Sequence, residues 1–280
     1  MSSTGAELEL KGVERHFSET AGLRGVDLTI RSGEFLCLLG PSGCGKSTLL
    51  NLIAGLDVPT SGAILVNGKR VNRPGPDRTV MFQDSALFPW MTLRQNVAFP
   101  LEIAGVSAQD TATRVERVLR LVHLWRFADS PIHALSGGMR QRGALARALV
   151  SEPGTLLMDE PFAALDAQTR DVLYPEIERV WLETKKTIVF VTHNVREAVR
   201  LGDRIVVMAT RPGRIRAVID VPLERPRDDG HPDITRITSA VMRELRDEIA
   251  RVQHEEGDEN WKVDSDARGG LAGRSLDPSG

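Results

Sequence analysis

The chain has 280 residues, room for one large domain or two modest ones around a substantial core, so fibrous and miniature scaffolds are excluded. Its residues are 41% hydrophobic and 26% charged, a globular composition, and 36 basic against 38 acidic side chains leave a net charge of -2, which argues against a non-specific nucleic-acid coat. Two cysteines, Cys37 and Cys44, stand without a CxxC pair or a Cys/His cluster, pointing to neither a disulfide framework nor zinc and fitting a reducing cytosol. The opening stretch MSSTGAELEL lacks the basic and apolar regions of a signal peptide. The longest apolar runs, such as Phe35 to Leu39, fall far short of the roughly 18 residues that cross a bilayer, so action on a membrane would need another chain to span it.

In chain order, Val26, Leu28 and Ile30 alternate as in a strand, Ser32 and Gly33 turn the chain, and Phe35 to Leu39 form an almost wholly apolar strand, the pattern of burial on both faces. A glycine-rich loop from Gly40 to Gly45 runs into a helical stretch, Lys46 to Ala54, that stops at Gly55. Strand, loop and helix open a βα unit. From Leu93 to about Val150 helical spacing dominates, with Val115, Val118, Leu119 and Val122 on one face, and no strand is evident. Short apolar runs at Thr155 to Met158, Thr187 to Val191 and Arg204 to Ala209 then resume the core. Parallel strands separated by helices predict a doubly wound α/β core, with ligands beyond the carboxyl ends of the strands. After Pro226, the residues Ile234, Ile237, Val241, Leu245, Ile249 and Val252 form one stripe of an amphipathic helix. From Glu255 the polar, glycine-rich composition predicts a disordered tail.

The chemistry concentrates in a few places. Gly40, Pro41, Ser42, Gly43, Cys44, Gly45, Lys46 and Ser47 match GxxxxGK[ST] in the strand-to-helix context that the pattern requires, and Thr48, next in the helix, is a further candidate for phosphate contact. The loop's backbone N–H groups can close round phosphates, Lys46 supplies a point charge, and Ser47 can ligate Mg²⁺ at a helix N-terminus that favours anions. Kinases, GTPases and ATPases all hold phosphates this way. Asp159 and Glu160 follow a buried strand, where Asp159 can hold Mg²⁺ and Glu160 can polarise a water; an acidic start to a helix is the plainer reading of such a pair. Ser136, Gly137 and Gly138 open an Ala/Leu/Arg-rich helix and offer a second anion site, or an ordinary Ser N-cap. Gly143 interrupts that helix at a cost of about 1 kcal/mol relative to Ala unless close packing needs it.

Together these residues resemble the nucleotide-binding subunit of an ATP-binding cassette (ABC) transporter, over residues 7–225. Gly40 to Ser47 matches the Walker A motif and Gln83 the Q-loop. Leu135 to Met139 is similar to the LSGGQ-type signature, with Met139 in place of the common Gln, and Leu156 to Glu160 to Walker B. Ala164, Leu165 and Asp166 resemble the D-loop without its frequent Ser, and His193 the switch histidine. The resemblance implies an α/β P-loop NTPase (RecA-like) core with an N-terminal antiparallel β region and a helical subdomain at about 93–150, followed by a helical extension at 226–254 and the tail at 255–280. It implies ATP and Mg²⁺ as ligands. Phe17 would stack on adenine, with His16 the weaker candidate, and Ser47, Gln83 and Asp159 would hold the metal. Glu160, His193 and Gln83 would serve hydrolysis, and Ser136 to Gly138 would meet the nucleotide of a second copy bound head to tail.

Pro74 to Arg78, Phe88 to Trp90, the stretch Pro161 to Arg170 and Arg211 to Arg214 resemble the nitrate/sulfonate/taurine import subgroup. The expectation is an importer ATPase at the cytoplasmic face of the cell membrane, working beneath transmembrane permease subunits supplied by an extracytoplasmic solute-binding protein, with no nucleic-acid partner. An ABC ATPase acting outside transport, in DNA repair or translation, is the alternative; the near-neutral charge and the absence of long heptad insertions weigh against it.

Overall fold

The computed structural model describes residues 5–17, 20–163, 165–225, 227 and 232–269. In chain order the elements are β1 (Leu8–Phe17), β2 (Thr20–Ile30), β3 (Phe35–Leu39), α1 (Lys46–Ala54), β4 (Ser61–Val66), β5 (Lys69–Arg70) and β6 (Arg78–Met81). They continue with α2 (Leu93–Ile103), α3 (Ala108–Leu121), α4 (Gly137–Leu149), β7 (Thr155–Asp159), α5 (Ala167–Thr184), β8 (Thr187–Thr192), α6 (Val195–Leu201), β9 (Arg204–Ala209), β10 (Arg214–Asp220) and α7 (Pro232–Gly269). Two single turns of 3₁₀ helix lie between α3 and α4.

Two sheets carry the fold. A six-stranded sheet runs β10-β9-β3-β8-β7-β6, parallel throughout except for β10, which closes one edge antiparallel to β9. A four-stranded antiparallel sheet runs β2-β1-β4-β5. The apolar run of β3 has a direct physical reason. Phe35, Cys37 and Leu39 point into a core shared with α2 to α7, whereas Leu36 and Leu38 point into a second core built with α1, β1 and β2. A strand buried on both faces cannot alternate with polar residues, so its pattern is continuous.

Residues 93–150 hold α2, α3 and α4. α2 starts on a full capping box: the Thr92 side chain accepts from the Gln95 N–H, and the Gln95 side chain accepts from the Thr92 N–H. Gly143 is explained here. A Cβ at that position would lie 2.7 Å from Cδ1 of buried Leu93, so the missing side chain lets α4 approach α2, and packing outweighs the propensity cost.

The C-terminal helix departs from expectation in two respects. α7 starts with Pro232 at its first position, where a missing N–H is harmless, and packs Ile234, Ile237, Val241 and Leu245 on its own domain, against α6, β9 and β10. Ile249, expected to continue the stripe, is exposed, and the fully buried residue one position earlier is Glu248. The helix also runs past the expected break at Glu255 as far as Gly269. The segment carries the helix formers Glu255, Glu256, Glu259, Lys262, Ala267 and Arg268, and Gly257 within it costs only about 1 kcal/mol. Pro226 and residues 270–280 lie outside the described residues.

Arg227 ties this end of the chain to the core. Its buried guanidinium donates to the carbonyls of Val199 (2.7 Å), Gly202 (2.6 Å) and Val221 (3.1 Å), gathering the last turn of α6 and the strand-end after β10. Burial, reinforced by the neighbouring Arg225 charge, pulls its pKa down to about 10. Replacing Arg227 with Met leaves these carbonyls without their donor and should lower the unfolding free energy by about 3 kcal/mol, read as a lower urea midpoint.

Candidate nucleotide site

The parallel register sets β3, β8 and β7 side by side. Leu39 lies opposite Thr192, and Val191 opposite Asp159, so the residues that follow these strands, Gly40, His193 and Glu160, emerge on one edge of the sheet. β6 adds a fourth end, with Met81 opposite Met158, and exposed Gln83 follows two residues later. The carboxyl ends of four parallel strands thus form one crevice, where the α/β pattern places ligands.

The phosphate loop fills the start of that crevice. Gly45 caps α1 with φ near 92°, a conformation that disfavours a side chain, and a Cβ there would lie 2.5 Å from Cδ2 of Leu23. Lys46 is 6% exposed and folds back into its own loop, donating to the carbonyls of Gly40 (2.8 Å) and Pro41 (3.0 Å) beside Cys44 Sγ. Ser42, Gly43 and Ser47 face solvent, and Thr48 is half-buried. Burial raises the Cys44 thiol, which keeps it a neutral packing group.

Ser47 Oγ donates to Asp159 Oδ1 at 3.2 Å, joining the loop to the β7 end. Burial raises the Asp159 carboxyl and the Glu160 charge adds to the rise, while the Ser47 bond opposes it. Next door, the imidazole of His193 donates from Nδ1 to Glu160 Oε2 at 3.0 Å. Glu160 holds this position with a left-handed φ of 44°, and its N–H donates to Val191 O across the strand ends. The strand end before His193 is pinned from beneath. The hydroxyls of Thr192 (2.5 Å) and Tyr174 (3.1 Å) both donate to the buried Glu197 carboxylate.

Phe17 lies at the end of β1, half exposed, with the Arg15 guanidinium 5.1 Å from its ring centre. The ring rests on Gly22, where an added Cβ would be 2.7 Å from it. The Gly22 carbonyl in turn borders Gly45. The aromatic therefore sits beside the phosphate loop without contributing to either core. His16, by contrast, is engaged with Glu14 at 3.4 Å.

Ser136, Gly137 and Gly138 lie elsewhere, at the start of α4. The Ser136 hydroxyl accepts from Met139 N–H, and Gly138 comes close to Thr169 at the start of α5, where the Asp166 carboxylate accepts from Thr169 N–H and O–H. Among the described residues no hydrogen bond or ion pair joins 136–138 to 40–48. Ala164 lies outside the described residues. The segment 210–213, of which Arg211 to Gly213 stand out in the sequence only as a subgroup resemblance, packs against the back of the phosphate loop. A Cβ at Gly213 would lie 2.4 Å from the Cys44 carbonyl and 2.7 Å from that of Gly22, and the Thr210 hydroxyl donates to Gly43 O at 3.4 Å. The Pro212-Gly213 pair is the signal that could have marked it as a tight turn.

Comparison with known proteins places the chain in a family. The ABC transporter family model matches residues 23–163. An uncharacterized ABC transporter ATP-binding protein of Methanocaldococcus jannaschii is 47% identical over 82% of this chain and 86% of its own length. The taurine import ATP-binding protein TauB of Pelagibacter ubique is 48% identical over 74% of this chain and 78% of its own. The bicarbonate transport ATP-binding protein CmpC of Synechococcus elongatus is 46% identical over 78% of this chain and 34% of its own. Among solved structures, the dimeric structure of MJ0796, a bacterial ABC transporter cassette, superposes with a TM-score of 0.68 at 32% identity, covering 78% of this chain and all of that one. The same cassette in a post-hydrolysis state bound to ADP and Pi gives 0.66 at 32% identity over the same shares of both chains. The chain belongs to the ABC transporter family as one of its ATP-binding, ATP-hydrolysing subunits.

Proposed function

We propose that this chain is the ATPase subunit of an importer for a small anion of the sulfonate or bicarbonate class. It would work as a head-to-tail dimer beneath transmembrane permease subunits at the cytoplasmic face of the membrane, with an extracytoplasmic solute-binding protein delivering the solute. The observation that carries the reading is the meeting of Ser47 with Asp159 and of Glu160 with His193 on adjacent strand ends. The taurine and bicarbonate functions of two relatives support the substrate class. No helix of the described residues is long and apolar enough to cross a membrane, consistent with permease spans on other chains. The net charge of -2 offers no electrostatic drive toward nucleic acid. In this reading the cassette covers 7–225, with its helical subdomain at 93–150, and 226–254 is an extension.

In the mechanism we infer, Lys46 exchanges its loop carbonyls for phosphate oxygens, and the N–H groups of residues 40–48 close round the phosphates. Phe17 stacks on the adenine ring. The hydroxyl of Ser47, the carboxylate of Asp159 and the amide oxygen of Gln83 form an all-oxygen donor set suited to Mg²⁺, which when bound neutralises phosphate charge. Glu160 polarises the attacking water. The hydrogen bond from His193 to Glu160 fixes the ring, leaving Nε2 for the γ-phosphate. Ser136 to Gly138, remote from this chain's own phosphate loop, would complete the site of the second copy. ATP then satisfies its charge only in the closed dimer, and hydrolysis releases it.

Glu160→Gln should retain ATP binding and lower turnover at least a hundredfold, trapping an ATP-dependent dimer visible by size-exclusion chromatography; undiminished turnover refutes the assignment. Asp159→Asn should abolish Mg²⁺-dependent hydrolysis yet unfold at a midpoint up to a few degrees higher at pH 7. The folded state raises the Asp159 carboxyl, so its charge opposes folding above the ordinary carboxylate range, and the advantage of Asn should vanish as pH falls through that range. Affinity capture of the chain from membranes should recover a multispanning permease; recovery of ribosomes or DNA instead would establish the non-transport alternative.

A further inference from the structure

The C-terminal helix reaches the nucleotide site. Where the stripe of α7 would be completed by an apolar residue, the helix buries a carboxylate: Glu248 is 0% exposed while neighbouring Ile249 is turned to solvent. Ile234, Ile237, Val241 and Leu245 already dock the helix, and an ionised group in such a place is a costly way to add adhesion. Glu248 instead has a defined task. Its Oε1 accepts the Thr210 N–H at 2.8 Å, and Arg251, one turn on, donates to the Thr210 carbonyl at 2.6 Å and to Glu248 Oε1 at 2.6 Å. Arg216 from β10 faces the same carboxylate at 3.4 Å. Both backbone groups of Thr210 are thereby gripped by a single helix turn.

The gripped segment has the phosphate loop on its other side. Thr210 donates through its hydroxyl to Gly43 O at 3.4 Å. Three residues on, Gly213 lies against the Cys44 carbonyl, accepts from Arg24 N–H at 2.9 Å, and donates to Gly22 O at 3.1 Å. Gly22 is the floor on which Phe17 rests. The 210–213 segment thus braces both the phosphate loop and the wall that carries the aromatic.

We infer that Glu248 and Arg251 are positioning residues for nucleotide binding, acting through Thr210 so that docking of α7 sets the affinity of the phosphate loop for ATP. The inference rests on the nucleotide-site reading above. It gives the helical extension a role in the chain's own catalytic cycle: anything that lifts the 248–251 turn from the 210–213 segment weakens ATP binding without touching a residue that contacts the nucleotide.

The test compares the full-length chain with Arg251→Ala, Thr210→Val, the double variant, Arg251→Lys and Lys46→Ala. The readouts are ATP dissociation constants by calorimetry, KM and kcat for hydrolysis, and melting temperatures. Arg251→Ala and Thr210→Val should each raise the dissociation constant and KM about three- to tenfold, with kcat at saturating ATP within about twofold of the original. The double variant should be no worse than the weaker-binding single, because both cut one path, and Arg251→Lys should recover much of the affinity. A lowered melting temperature with unchanged ATP affinity makes the turn a packing element and overturns the inference, as do fully additive effects. Lys46→Ala separates the two levels: normal ATP affinity in that variant defeats the nucleotide-site reading itself, whereas its loss alongside normal affinity in the other variants defeats only the role of α7.

Discussion

The double-sided burial of β3 is the constraint on which the rest depends. A strand with Phe35, Cys37 and Leu39 in one core and Leu36 and Leu38 in the other has no freedom to slip, because a one-residue shift would exchange its whole side-chain set between two differently shaped interiors. Its parallel neighbours β8 and β9 are locked to it on both sides. The position of Gly40 relative to Thr192 and Asp159 follows from that lock, and the distances of the site follow from the position of Gly40.

Polar groups in the crevice are placed by a second layer of buried bonds rather than by one another alone. Glu197 sits in the core and holds Thr192 and Tyr174, which steadies the strand end carrying His193. Asp159 is partly withdrawn from water, which raises its carboxyl and makes its charge a destabilising one that the Ser47 hydroxyl only partly offsets. Such tension between stability and function is expected where a site must release its ligand in every cycle. In the proposed dimer, the lack of bonds between 136–138 and 40–48 belongs to the same logic, since a site completed by another copy opens and closes with the pairing of the two chains.

The C-terminal region adds a third layer. α7 does more than cover β9 and β10, because one of its turns exchanges an apolar position for the Glu248–Arg251 pair and uses it to hold Thr210. Loop and helix are far apart in sequence, and neither carries a motif for the contact. The phosphate loop is therefore braced by elements that follow it by about 170 to 210 residues, within a single core whose close packing transmits small displacements.

Local physics made part of this molecule legible from its residues alone. The apolar run of β3, the glycine-rich loop and the start of α1 read directly, as did the helical spacing of 93–150, because strand burial, phosphate-loop geometry and helix periodicity are written within a dozen residues. Asp159 and Glu160 are visible as acidic residues after a buried strand, and His193 through the family resemblance alone. Other features needed the fold. Whether Glu160 meets His193, whether Phe17 is core or surface, why Gly143 interrupts a helix and why Glu248 displaces Ile249 from the buried face all depend on partners distant in sequence. A helical stripe is known only to about one residue in rotation until the surface it packs on is specified, and here that surface presents the backbone of Thr210, which an apolar side chain cannot satisfy.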